Sequence, residues 1–177
     1  MCFQFFFLFF SDEMPGEACD GTITMGDQFK AVSKMMGSPG YENNTYGVGV
    51  NCPITFIAKT NQKFFIRITE FNLEESTKCT KDSLALYDGP MRNNDFVFST
   101  TNGGICGPTK SLPNYYYTAT NEVTVKFISD GENEGQEINN EGRPYQGFEL
   151  LLTPYIEKIE NNVSKYTLPV ISWLLPR

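Results

Sequence analysis

The strongest constraint on this chain is a period of two that recurs in short runs and never lengthens into a helical period. Phe64, Ile66 and Ile68 alternate with Phe65, Arg67 and Thr69. Val123, Val125 and Phe127 alternate with Thr124, Lys126 and Ile128. Shorter runs lie at 54–58 (Ile54, Phe56, Ala58), 83–87 and 147–153. Successive side chains of a strand point to opposite faces, so this alternation marks strands buried on one side. Between the runs stand Pro39-Gly40, Asp88-Gly89-Pro90, Asn102-Gly103-Gly104 and Gly107-Pro108, which punctuate turns. Short strands separated by such turns predict an all-β sandwich. In the run Tyr115-Tyr116-Tyr117 the same alternation points one tyrosine inward and its neighbours outward, which is strand packing rather than a dedicated contact patch.

Composition narrows the chemistry. The 177 residues suit one domain with tails, and 40% hydrophobic content is enough for a packed core. Histidine is absent, which removes Ser-His-Asp and Cys-His catalysis and the commonest metal ligand. Paired carboxylates such as Glu74 and Asp82 are the remaining route to hydrolysis, of glycosides for example. A small crosslinked sandwich offers that chemistry no evident cleft, so the chain reads as no enzyme. A formal net charge of −7 repels phosphate backbones and argues against nucleic acid, while suiting cations and basic partners.

Five cysteines occur, at 2, 19, 52, 79 and 106. Cys2 lies in the apolar stretch Met1–Phe10, which is too short to span a membrane. Residues 1–18 read as an atypical signal-peptide-like leader, with the small-x-small triplet Gly16-Glu17-Ala18 just before Cys19. The four remaining cysteines form an even set for two disulfides, with three possible pairings, and place the chain in an oxidising, extracellular setting as a secreted protein. Asn43-Asn44-Thr45 and Asn162-Val163-Ser164 are glycosylation sequons, making Asn43 and Asn162 candidate acceptors. The stretch 130–143 is an acid-rich surface loop. After Tyr155 the pattern changes, and 156–177 reads as a short helix and tail or the start of a truncated further region. Its apolar piece, Leu168–Leu175, is again too short to cross a bilayer.

Taken in order, these landmarks resemble a CUB domain. Cys19-Asp20-Gly21-Thr22 is similar to the family's opening, and Ser38-Pro39-Gly40-Tyr41 with Tyr46 and Cys52 to its second segment. Phe71-Asn72-Leu73-Glu74, Cys79 and Asp82–Gly89 resemble the central signature. Ile105-Cys106-Gly107 matches the fourth cysteine, and Val123–Phe127, Ser129-Asp130 and Gly147-Phe148 match the closing strands. The resemblance covers 19–155. Asp20 in place of a usual Gly, Pro53 in place of a frequent aromatic, and a lengthened 134–146 loop depart from the pattern without breaking its framework. The resemblance implies a jelly-roll-type antiparallel β-sandwich with the disulfides Cys19–Cys52 and Cys79–Cys106.

It also implies a calcium site of the kind found in the family's calcium-binding subclass. Glu74, Asp82 and Asp130 fall on its acidic ligand positions and Asn133 on the one that supplies a side-chain oxygen. Glu132 falls where the family offers a backbone carbonyl, and Tyr46 on the tyrosine that braces the cluster. The residue types suit the ion: calcium takes six to eight oxygen ligands, and crowded carboxylates repel one another unless a cation neutralises them. Glu75, Asp88, Glu134 and Glu137 are read as surface residues. In that subclass the ion orders loops that receive a lysine of a protein partner. The expected function is therefore a secreted binding module with a calcium-ordered acidic edge and a lysine-presenting partner. The alternatives are an accessory domain of a larger extracellular protease or lectin, and a single-domain glycan-binding protein that resembles the spermadhesins.

Overall fold

The computed structural model describes residues 12–13, 21–25, 33–43, 46–91, 104–108, 115–131, 145–160 and 163–167. The strands are β1 (Asp12–Glu13), β2 (Gly21–Thr24), β3 (Lys34–Gly37), β4 (Asn51–Ile57), β5 (Lys63–Asn72), β6 (Ser83–Asp88), β7 (Tyr115–Tyr117), β8 (Glu122–Ile128), β9 (Gly147–Glu160) and β10 (Val163–Thr167). They form two sheets. One has the order β1-β3-β9-β5-β7 with β10 also pairing β9, and the other has the order β2-β4-β8-β6. Pairing is antiparallel except at two edges, where β1 runs parallel to β3 and β2 parallel to β4. This is the sandwich that the alternation predicts. Two short 3₁₀ segments, Tyr41–Asn43 and Thr77–Cys79, lie between strands.

The period of two becomes the core directly. Ile54 and Phe56 of β4, Leu84 and Leu86 of β6, and Val123, Val125 and Phe127 of β8 project from one sheet. Phe64, Ile66 and Ile68 of β5, with Phe148, Leu150 and Leu152 of β9, project from the other. Phe127 and Phe148 meet across the gap edge-to-face, with ring centroids 5.3 Å apart. Fully burying side chains of this size contributes about 1.5–3 kcal/mol each, which makes the cluster the main source of stability.

Three details depart from simple alternation. β6 is buried on both faces from Ser83 to Tyr87, and its outer edge is covered where Leu84 and Ile105 exchange backbone hydrogen bonds of 2.9 and 2.8 Å. Between Ile68 and Glu70 the β5–β9 register shifts, and the Thr69 hydroxyl there donates to Glu149. Among the described residues, β2 pairs β4 from Ile54 onward, so Pro53 stands just before that pairing, a position that suits a residue lacking an N–H.

Among the described residues after Tyr155, 156–160 and 163–167 are strand. β9 continues to Glu160, and β10 folds back on it with Val163 opposite Glu160 and Thr167 opposite Ile156. Within the leader-like segment, Asp12–Glu13 pair alongside Met36–Gly37. In β7, Tyr115 and Tyr117 are 58% and 38% exposed, while Tyr116 packs against the core, as alternation requires.

Candidate functional site: a carboxylate cluster at one end of the sandwich

The β5–β6 loop and the segment after β8 meet at one end of the sandwich, because β5 and β8 end there and β6 begins there. Leu73, just past β5, is fully buried, which seats the chain so that Glu74 turns inward. Asp82 immediately precedes β6, and Asp130 lies two residues beyond β8. β6 and β8 are neighbours with Ser83 opposite Ile128, so the two aspartates emerge side by side. One carboxylate oxygen from each of Glu74, Asp82 and Asp130 lies within 4.8 Å of the others. Glu74 is 4% exposed, Asp82 is completely buried and Asp130 is half-buried.

Hydrogen bonds hold this arrangement. The Tyr46 hydroxyl donates to Asp82 Oδ2 and accepts from the Glu74 backbone N–H at 3.0 Å. The Asp130 N–H donates to Asp82 Oδ1 at 3.0 Å. Tyr46 itself is anchored in the core, its ring edge-to-face with Phe127 at 5.7 Å. The segment 47–50 braces Asp130 from the other side: Gly49 N–H donates to the Asp130 carbonyl at 2.6 Å, and the Ser129 hydroxyl donates to the Gly47 carbonyl at 2.6 Å. Lys81 Nζ forms an ion pair with Glu74 Oε1.

The Glu74–Asp82 loop is tied at its tip by the disulfide Cys79–Cys106, with Cα atoms 5.5 Å apart. Lys78 and Cys79 hold left-handed backbone there, at φ 60° and 50°, a conformation costly for side chains other than glycine and sustained only by surrounding constraints. Cys52 is also disulfide-bonded. Cys19, its expected partner, lies outside the described residues, as do Glu132, Asn133 and Asn162. Asn43 is exposed.

Two roles here were not foreseen from the residues. Lys81 joins the cluster, and the only sequence cue is its place next to Asp82. Asp88, read as a surface acid, instead clamps the turn after β7 at the opposite end of β6. It accepts from the Ala119 N–H, from the Thr120 N–H at 3.0 Å and from the Thr120 hydroxyl at 2.7 Å. Glu75 is exposed. Away from the cluster, the Tyr41 hydroxyl is pushed up to about 12 by burial and then by Glu149 and Glu70, so it stays protonated at neutral pH.

Residues 19–139 match the family model for the CUB domain. The chain belongs to the CUB domain family. The match reaches from the first expected disulfide cysteine past the third carboxylate of the cluster. Among relatives, cubilin of Sus scrofa is 31% identical over 121 residues, covering 67% of this chain and 3% of cubilin. Procollagen C-endopeptidase enhancer 1 of Homo sapiens is 27% identical over 117 residues, covering 65% of this chain and 25% of the enhancer. This CUB chain thus spans a small part of the curated relatives it matches. Among solved structures, the MASP-1 CUB2 domain bound to Ca2+ superposes with a TM-score of 0.53 at 18% identity, covering 76% of this chain and 97% of that one. At that identity the likeness establishes the shared fold.

Proposed function

We propose that this CUB domain is an extracellular, non-catalytic binding module whose acidic edge is ordered by calcium and receives a basic side chain of a protein partner. The observation that carries this reading is the cluster itself: three carboxylates from two separate loops, two of them buried, with oxygens within 4.8 Å of one another. Burying like charges together is unfavourable unless a cation compensates. The donors are all hard oxygens, the set calcium prefers. Glu74, Asp82 and Asp130 would hold the ion, with the Glu132 carbonyl and the Asn133 side chain as further oxygens, and Tyr46 orienting Asp82. When bound, calcium supplies positive charge that locks the two loops together. The chain's own carboxylates then present residual negative charge, which suits a lysine of the partner. That a solved CUB domain of the same fold carries Ca2+ supports the reading. So does the Cys79–Cys106 disulfide, which fits an oxidising compartment.

The low coverage of cubilin and of the procollagen C-endopeptidase enhancer favours an accessory role within larger extracellular assemblies over a self-sufficient glycan binder. The deciding experiment is thermal unfolding of the chain in calcium and in chelator. Ligand that binds only the folded state stabilises it by about 2.7 kcal/mol at a hundredfold excess over Kd. A clear rise in Tm with calcium is expected for the wild type and none for Asp82→Ala, with Asp130→Asn as a milder companion. Identical melting of the wild type in calcium and in chelator would sink the proposal.

A further inference from the structure

The ion pair between Lys81 and Glu74 places a cation of the chain's own within the carboxylate cluster. Glu74 contributes one of the three converging carboxylates, yet one of its oxygens is already taken by an ammonium from its own chain. The two partners are unequal: the Glu74 side chain is 5% exposed and the Lys81 side chain 40%. Glu74 therefore needs a counter-charge where it stands, whereas Lys81 can swing into solvent without opening the core.

The loop between them is built rather than loose. Lys81 N–H donates to Ser76 Oγ at 3.1 Å, Cys79 N–H to the Ser76 carbonyl at 3.1 Å, and the Cys79–Cys106 disulfide ties its tip. The turn thus ties the lysine backbone beside the cluster.

We propose that Lys81 is a tethered counter-cation that holds the cluster together when calcium is absent and competes with calcium for Glu74. This rests on the calcium reading given above. Its consequence is a raised calcium threshold: the ion must displace the ammonium from Glu74 before it gains that ligand in full. The site then stays assembled when empty, at the cost of weaker calcium binding. The same competition acts on a partner's basic group aimed at Glu74.

The test is calcium titration by calorimetry on the whole chain, comparing wild type, Lys81→Met, Lys81→Arg and Lys78→Met. Lys78 is exposed on the same turn, so its substitution makes the same change in net charge. Lys81→Met should bind calcium about threefold to fivefold more tightly, the upper scale of a partly exposed ion pair. Lys78→Met should stay within about twofold, because exposed charges are screened. Lys81→Arg, which keeps the charge, should stay near wild type. In chelator, Lys81→Met should melt below wild type, and its rise in Tm on adding calcium should be larger. Labelling of wild-type lysines with an amine-reactive reagent gives a readout that needs no variant: Lys81 should become more reactive when calcium is added while Lys78 does not. Equal tightening by Lys81→Met and Lys78→Met, or Lys81 labelling that ignores calcium, would overturn the competition while leaving calcium binding intact. Absence of calcium binding in wild type and Lys81→Met alike would remove the calcium reading itself, and this inference with it.

Discussion

Tyr46 shows how one side chain serves both core and site. Its ring packs on Phe127, and its hydroxyl joins the Glu74 backbone to the Asp82 carboxylate. Tyr46→Phe keeps the ring and removes both bonds at once. Losing hydrogen bonds to buried polar groups costs about 1–3 kcal/mol, more when one group is charged. Denaturant unfolding in chelator should therefore show a loss of that size, together with weaker calcium stabilisation. An unchanged midpoint would mean that the hydroxyl does not brace the cluster. Lys81 makes the complementary point: beside Asp82 in sequence, it answers to Glu74 seven residues earlier, so its neighbour in the chain is a poor guide to its partner.

Among the elements, the start of β9 depends on a single glycine. Gly147 sits at φ +96°, and a Cβ placed there would lie 1.9 Å from Ser38 Oγ. Ser38 is fully buried and holds the strand start through its hydroxyl, which accepts from the Phe148 N–H at 3.2 Å, and through its own N–H, which donates to the Phe148 carbonyl at 3.0 Å. Gly147→Ala must strain the backbone and push Ser38 away, so a destabilisation of about 2 kcal/mol or more is expected. Gly21 is the matched control: a Cβ there would meet nothing within 4 Å, and its backbone is not left-handed. Gly21→Ala should stay within about 0.5 kcal/mol. Urea midpoints of the two variants compare these directly. Equal effects would show that the close approach at Gly147 is not what holds β9 in register.

For the molecule as a whole, the Cys79–Cys106 crosslink closes a loop of 27 residues that includes all of β6. Restricting the unfolded chain over a loop of that length contributes about 3–4 kcal/mol. At about 2–4 °C per kcal/mol for a domain of this size, replacing both cysteines by alanine should lower Tm by about 10 °C. Because the same bond ties the Glu74–Asp82 loop, the calcium-induced rise in Tm should shrink as well. A large drop in Tm with an undiminished calcium response would assign the crosslink to the scaffold alone.

The sandwich was legible from residue order because strand alternation and turn chemistry are local: Phe64-x-Ile66-x-Ile68 and Val123-x-Val125-x-Phe127 state which faces are buried before any partner strand is known. The carboxylate set was legible only through resemblance to a family, since nothing local brings together residues as far apart as Asp82 and Asp130. What no local pattern specified was decided by the packing of distant segments. The covering of β6 by 104–105, the Asp88 clamp on the turn after β7, the parallel edge pairings and the extension of β9 with its β10 return all depend on which strands become neighbours. The Lys81–Glu74 pair belongs with them, because a side chain's partner is set by where the tertiary fold places its charge and how far it removes water. Sequence alone thus determined which residues face the interior; register and burial determined which of the polar ones meet.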